Sequence, residues 1–146
     1  MAKADPLGRL HDHTWELRST VLVGELTDHV LTPVPDGRGE YLAHVVHYDA
    51  TGNRVGVRPG RWRLDEVDVR CVRAGQSYRL APRLVHRTEI SVLPTATLVL
   101  PIERGGPGPI VFAPQELADV RAAPRTPIDP RAATSALRLA AECCEN

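Results

Sequence analysis

The sequence has little cysteine, almost no lysine and no long apolar run. Its three cysteines, of which Cys143 and Cys144 are adjacent, are too few for a disulfide framework and lack the spacing of a zinc finger. No apolar stretch approaches the ~20 residues needed to span a bilayer, and the start of the chain lacks the apolar core of a signal peptide. We therefore expect a cytoplasmic protein with reduced thiols and no membrane span.

An excess of charge of either sign is also missing. The 18 basic residues, 17 of them arginine, balance 18 acidic residues, so the formal net charge is zero at pH 7. A neutral chain has no overall field that attracts a polyanion, and neither nucleic acid nor a membrane surface is an expected partner. The chain has 146 residues, enough for one hydrophobic core without a structural metal. We expect any bound metal to be functional.

Short β-rich runs separated by Gly, Pro, Asp and Asn occupy the chain up to about residue 100. Runs at this spacing, with turn residues between them, predict an all-β sandwich or barrel and not alternating β-α units. The segments 33–37 and 49–53 carry the residues that favour chain reversal. The predicted strands lie at 17–31, 44–47, 54–57, 61–64, 67–72, 77–80, 86–92 and 96–100.

The character of the sequence changes after Pro101. Residues 105–109 form a Gly/Pro connector, and two helix candidates follow it. The first covers 114–121, with a proline in its first turn, and the second covers 129–143, with Asp129 as N-cap and Pro130 at the first helical position. We therefore predict a β domain over 1–104 and a connector with a short C-terminal helical segment over 105–146.

Three histidines form the candidate chemical site. His11 and His13 are two residues apart just before a predicted strand, a spacing that puts both imidazoles on one face of an extended chain. His86 lies near the start of a strand far along the sequence. Three such ligands form a facial triad that leaves coordination positions open for water, dioxygen or substrate. A His-x-His pair alone is a weak signal, because it also occurs by chance.

The intervals around these histidines resemble the two motifs of the cupin superfamily. The first motif reads Gly-x5-His-x-His-x3–4-Glu-x6-Gly, and the second reads Gly-x5-Pro-x-Gly-x2-His-x3-Asn. The corresponding stretches here are His11-x-His13-x3-Leu17-x6-Gly24 and Gly75-x5-Ala81-x-Arg83-x2-His86-x3-Ile90. The resemblance covers residues 10–100. It implies a cupin jelly-roll β-barrel that holds one metal ion through His11, His13 and His86.

The chain departs from the first motif at its carboxylate ligand. Leu17 takes that position, and Glu16 is one residue early and would face away in a regular strand. Three neutral imidazoles resemble the site of the thiol dioxygenases, the cysteine dioxygenase type, and the stretch His11-Asp12-His13-Thr14 is similar to their first-motif core. The Ser-His-Tyr relay of those enzymes is missing, because Thr95, Thr97 and Val99 occupy the corresponding positions of the strand. Unmodified cysteine oxidation is therefore not expected.

This resemblance implies an Fe(II)-dependent dioxygenase that acts on a small thiol- or carboxylate-bearing molecule. Imidazole ligands also suit Zn, Ni, Cu and, less well, Mn. A non-oxidative cupin, such as a metal-dependent isomerase or lyase, remains open, as does a small-ligand-binding protein or a regulatory barrel without metal. Fold alone does not decide among these, because one fold hosts many chemistries.

Other polar residues are candidates for substrate contacts. Arg18 or Arg87 is a candidate clamp for a substrate carboxylate, and Tyr78 is a candidate hydrogen-bond partner of a bound ligand, although surface or packing roles are open for all three. The remaining histidine pair, His44 and His47, has an odd separation that places its members on opposite faces of a strand. We interpret both as surface or edge residues.

The N-terminal part of the chain is short for a cupin. Ten residues precede His11, whereas cupins usually have one or more strands before the first motif, and the leading glycine of that motif would fall at Asp5. An unpaired sheet edge leaves backbone amides without partners. We expect a second subunit to cover the edge in a homodimer, with a folded-back C-terminal segment or an incomplete start as alternatives.

Overall fold

The computed structural model describes residues 10–49, 52–102, 106–114 and 129–144. Within these ranges the chain forms a series of strands followed by one helix. The elements in order are β1 (Glu16–Val23), β2 (Glu25–Pro35), β3 (Leu42–Asp49), β4 (Gly52–Val57), β5 (Trp62–Arg73), β6 (Ser77–Leu80), β7 (Val85–Ile90), β8 (Ala96–Ile102), β9 (Ile110–Ala113) and α1 (Pro130–Cys144). The protein is thus mostly β with a short C-terminal helix, as the sequence predicts.

The strands form three antiparallel sheets of three strands each, with the orders β6-β1-β8, β5-β2-β7 and β4-β3-β9. A short extended segment at His11 joins the second sheet to the third, because it pairs with His86 of β7 on one side and with Val111 of β9 on the other. The His11 N–H donates to the His86 carbonyl at 3.1 Å, and the His86 N–H donates back at 2.9 Å. The histidine segment is therefore an integral part of the sheet.

The first sheet packs on the second. One interface cluster contains Leu17, Val30 and Leu80, which come from β1, β2 and β6. The opposite face of the second sheet carries a separate apolar cluster, formed by Leu31, Ala43, Val85 and Phe112. Strand β2 contributes to both clusters because Val30 and Leu31 are successive residues of a strand and point to opposite faces of the sheet, and both are buried.

Gly24 makes the turn between β1 and β2 at a point where a side chain does not fit. Its φ angle is +77°, and an added Cβ would lie 2.5 Å from the Pro94 carbonyl oxygen. The turn between β5 and β6 contains Gly75, also at positive φ (+83°). Glycine is the residue that adopts this conformation without steric cost, which gives both motif glycines a structural reason.

The C-terminal predictions are met in part. The helix begins as predicted, because the Arg131 N–H donates to the Asp129 side chain at 3.0 Å. The predicted helix at 114–121 lies outside the described residues beyond its first position. The boundary at residue 104 needs correction, since β9 follows it and pairs with β3. This four-residue strand was missed because an isolated apolar run of that length carries no periodicity.

The helices of the structure were compared with the length and hydropathy of a membrane span. Among the described residues, no helix has the length and apolar character needed to cross a bilayer.

Candidate metal centre

The three predicted ligands converge. One imidazole nitrogen from each of His11, His13 and His86 lies within 4.8 Å of the other two. His13 Nε2 and His86 Nε2 are 3.1 Å apart. The ring centroids are separated by 4.7 Å, 4.7 Å and 5.2 Å. The structure therefore brings His11 and His13, which are two positions apart, together with His86, which lies 73 positions after His13.

Backbone pairing explains this convergence. His11 and His86 are directly opposite one another in an antiparallel bridge, so their side chains lie on the same face of the sheet. His13 continues the same segment beyond the bridge, and its carbonyl accepts a hydrogen bond of 2.8 Å from the Arg83 N–H. The residues before β1 are thus fixed to β7 and to the turn that precedes it.

Asp12, between the two histidines, anchors the segment on its other side. The side chain is 3% exposed, and its Oδ1 atom accepts a hydrogen bond of 2.6 Å from the Ile110 N–H. The Arg83 guanidinium lies 3.3 Å from Oδ2 and also donates to the Gly108 carbonyl at 3.1 Å and to the carbonyl of Pro107. These bonds connect the histidine segment with residues 107–110.

Arg83 has an unusual backbone conformation. Its φ angle is +67°, the only positive value among the described non-glycine residues, and it occupies the position of the second glycine in the cupin motif. The left-handed conformation costs a residue with a side chain about 1–2 kcal/mol. The hydrogen bonds of the guanidinium offset this cost.

The geometry of the three histidines is one that could hold a metal ion. Burial, and next the nearby His11 and His86 side chains, lower the pKa of His13 to about 4. His13 is therefore neutral at pH 7, as a metal ligand must be. Two nitrogens that each lie about 2.1 Å from one ion are about 3.0 Å apart in octahedral geometry and about 3.4 Å apart in tetrahedral geometry. The observed 3.1 Å fits this range.

Asp28 of β2 lies directly behind His86. It is fully buried, and its Oδ1 atom is 2.8 Å from His86 Nδ1. Arg70 donates to the other oxygen from Nη2 at 2.9 Å and from Nε at 3.1 Å. Burial by itself would raise the pKa of Asp28, but the hydrogen bonds from His86 and Arg70 outweigh it and hold the pKa below its ordinary value.

The sequence reasoning missed Asp28, although a signal was present. Leu26, Asp28 and Val30 occupy every second position of β2 and therefore share one face of the strand. A carboxylate thus lies on a face that otherwise carries buried apolar side chains. A charged residue at such a position is costly unless it has partners. The alternation predicts a buried partner for Asp28, but it does not identify His86.

The structure does not bring the two candidate arginines to the histidines. Arg18 Nε donates to Glu16 Oε1 at 2.8 Å, and the Arg18 side chain is 56% exposed. Arg87 follows His86 in β7 and so faces the opposite side of the sheet, where its Nη2 atom lies 3.3 Å from Glu89 Oε1. Both arginines pair with carboxylates of their own strands.

Tyr78 of β6 lies in the layer between the first two sheets, where it packs against the cluster of Leu17, Val30 and Leu80 and against a second buried cluster of Val21, Leu26 and Val72. The Arg70 guanidinium lies over its ring, 5.1 Å from the centroid. Burial raises the pKa of Tyr78. These contacts describe a packing residue that holds Arg70, and through it Asp28, in place.

Glu16 faces away from Leu17, as the sequence predicts. It is 2% exposed and binds Arg18 and Arg79, whose hydrogen bonds lower its pKa. The interpretation of His44 as a surface or edge residue is wrong, because His44 is fully buried. Strand β3 lies between β4 and β9, so it is an interior strand. His47, on the opposite face, is exposed.

His44 also shares a face with His11 and His86 of the histidine cluster. It pairs with Val111, which in turn pairs with His11. The cross-strand row therefore runs from His44 through Val111, His11 and His86 to Val30. Directly opposed residues of antiparallel strands have their side chains on one side of the sheet.

None of the family models, curated proteins or solved structures that were compared with the chain matches it. Function therefore has to be inferred from the chemistry of the histidine cluster and its surroundings.

Proposed function

We propose that this chain is a cupin-type metalloprotein that binds one divalent metal ion through His11, His13 and His86 and acts as an Fe(II)-dependent dioxygenase on a small thiol- or carboxylate-bearing molecule. The observation that carries the proposal is the convergence of three imidazole nitrogens within 4.8 Å, from two distant parts of the chain. No carboxylate joins this group among the described residues.

The order of the strands supports a jelly-roll barrel. The chain passes repeatedly between two facing sheets: the His11 segment, β2, β5 and β7 lie in one, and β1, β6 and β8 lie in the other. Such alternation between packed antiparallel sheets is the connectivity of a jelly roll. The first-motif segment lies beside the second-motif strand, an arrangement that the spacing of the cupin motifs requires for a shared metal ion.

The charge of the ligand set indicates the kind of substrate. Three neutral imidazoles leave both positive charges of a divalent ion uncompensated, so an anionic thiolate or carboxylate is the favoured additional ligand. Bound Fe(II) supplies dioxygen activation and holds the substrate. The protein contributes His13 in its neutral form, the buried Asp28–His86 pair, and the Trp15 ring, centred 5.6 Å from that of His13, as an apolar wall.

A non-oxidative cupin, either a metal-dependent isomerase or lyase or a ligand-binding protein, is the second candidate. The observation that favours it is the pairing of Arg18 with Glu16 and of Arg87 with Glu89, which leaves neither arginine at the cluster as a carboxylate clamp. Zinc, nickel, manganese or copper would suit such a function.

We also propose that the protein forms a homodimer through strand β8. This strand pairs with β1 along one edge, and no described strand pairs with its other edge. Its side chains include Leu98, Val99 and Leu100, which are 63%, 45% and 60% exposed, and no charged residue. Monomeric proteins usually protect such edges with charge, proline or bulges, and β8 has one proline, Pro101, near its end. Light scattering at micromolar concentration should give a dimer that Leu98→Lys dissociates, and a monomeric wild-type protein would contradict the proposal.

Elemental analysis of protein purified without a histidine tag tests the metal function. We expect about one iron per chain, loss of the metal in His13→Gln and His86→Gln, and retention of it in His47→Gln, the matched substitution of an exposed histidine. Oxygen consumption with a panel of small thiols and hydroxy acids then tests the reaction. Bound zinc without oxygen consumption would favour the non-oxidative candidate, and metal-free protein that stays metal-free on reconstitution would overturn both.

A further inference from the structure

The hydrogen bond between Asp28 and His86 defines which nitrogen of His86 is available to a metal. Oδ2 of Asp28 accepts two hydrogen bonds from the Arg70 guanidinium, and a carboxylate in such an ion pair also accepts through its other oxygen, so the 2.8 Å contact favours a proton on His86 Nδ1. The lone pair then resides on Nε2. This is the atom that faces His13 Nε2 at 3.1 Å, inside the cluster.

Both oxygens of the Asp28 carboxylate accept hydrogen bonds from neighbouring side chains. Arg70 holds one oxygen with two N–H groups, and the Thr88 hydroxyl lies 3.3 Å from the oxygen that binds His86. Asp28 is fully buried, so water does not compete for these contacts. Arg70 is itself held over the Tyr78 ring. The strands β2, β5, β6 and β7 together support one imidazole.

We propose that Asp28 is the positioning residue of the metal centre: it holds His86 as the Nδ1–H tautomer with Nε2 directed at the ion, and Arg70 holds the carboxylate in place. This inference rests on the proposed metal function. Carboxylate partners of metal-bound histidines fix the ring orientation and increase the basicity of the ligand, and their loss typically weakens metal binding 10–100-fold. A carboxylate that served only to neutralise Arg70 would have no such effect.

The variant Asp28→Asn separates these roles. An asparagine that presents its oxygen to His86 turns its NH2 group toward the Arg70 donors, so that donor faces donor. In the reverse orientation the NH2 group faces His86 Nδ1 and favours the Nε2–H tautomer, whose proton blocks the ligand atom. We expect Co(II) to bind Asp28→Asn 10–100-fold more weakly than wild type in a titration followed by visible absorption, with an altered band shape. The matched control is Asp68→Asn, which removes an exposed carboxylate from the neighbouring strand β5.

Arg70→Met provides the second comparison. It removes the cation that pairs with Asp28 but leaves the Asp28–His86 contact, so we expect a smaller loss of Co(II) affinity than in Asp28→Asn. Equal losses in the two variants would indicate general disruption of the buried network and would overturn the positioning role. Thermal melting of each metal-free variant shows how much of any loss comes from unfolding.

The tautomer provides a test that does not depend on a variant. In nitrogen-15 NMR spectra of the metal-free wild-type protein at neutral pH, His86 should show the pattern of the Nδ1–H form, and the Nε2–H form would overturn the inference. If wild type shows the Nδ1–H form and fails to bind Co(II), the proposed metal function fails while the Asp28 contact stands. If wild type binds Co(II) and Asp28→Asn binds it equally well, only the positioning role fails.

Discussion

Arg83 allows a direct calculation of whether side-chain anchoring outweighs backbone strain. The perturbation is a pair of variants, Arg83→Gly and Arg83→Ala. Both remove the guanidinium that binds Asp12 at 3.3 Å, Gly108 at 3.1 Å and the Pro107 carbonyl. Only the glycine variant relieves the left-handed backbone at φ +67°.

The two effects differ in size. Hydrogen bonds to a charged group contribute about 1.5–3 kcal/mol each when buried, but the Arg83 side chain is 35% exposed, so we take about 1 kcal/mol for each carbonyl or carboxylate partner. The total anchoring is then about 3 kcal/mol. The strain of the left-handed backbone is about 1–2 kcal/mol, and a glycine at position 83 removes it. The greater freedom of glycine in the unfolded chain cancels about 0.5–1 kcal/mol of this gain. The glycine variant is therefore about 1 kcal/mol more stable than the alanine variant.

We therefore predict that Arg83→Ala unfolds with a free energy about 3 kcal/mol below wild type and Arg83→Gly with one about 2 kcal/mol below it. Urea denaturation measures both values, and in thermal melts the two variants should differ by about 4 °C. Equal stability of the two variants would refute the claim that position 83 needs positive φ. A glycine variant more stable than wild type would show that the anchoring is weaker than the strain.

Three further predictions follow from the core and from the electrostatics of the site. Leu80→Ala should lower the free energy of unfolding by about 2–5 kcal/mol in urea denaturation, because it opens a cavity at a side chain that is 1% exposed; a loss below 1 kcal/mol would contradict the tight packing of the two sheets. Gly24→Ala should destabilise the protein in the same assay by at least about 1 kcal/mol, because of its positive φ and the contact with Pro94, and unchanged stability would contradict the turn geometry. The stability of the metal-free protein should fall as the pH is lowered from 6.5 toward 4, because His13 has a pKa of about 4 when folded and 6.5 when unfolded, so the unfolded chain takes up the proton first. His13→Gln should lose this part of the pH dependence in urea denaturation, and a variant with the wild-type profile would contradict the assignment.

The sequence predicts the part of the site that depends on local spacing. His11 and His13 share one extended segment, and the intervals of the second motif place His86 on a strand. The β character and the helix at Pro130 also follow from local patterns, because turn residues and an N-cap act within a few positions.

The parts that the sequence does not predict depend on long-range pairing. The partner of Asp28 is 58 positions away, and no local rule selects His86 over other histidines. The burial of His44 depends on β3 being covered by β4 and β9. The pairing of Arg18 and Arg87 with nearby carboxylates depends on side-chain conformations that no periodicity specifies.

The central claim is that one ion binds to nitrogens of His11, His13 and His86. An anomalous difference map from crystals of the Fe(II)-reconstituted protein, recorded at the iron edge under anaerobic conditions, tests it most directly. We expect one peak per chain, about 2.0–2.2 Å from one imidazole nitrogen of each histidine, with His86 bound through Nε2. A peak at other residues, or three histidines that bind no ion at full iron loading, would contradict it.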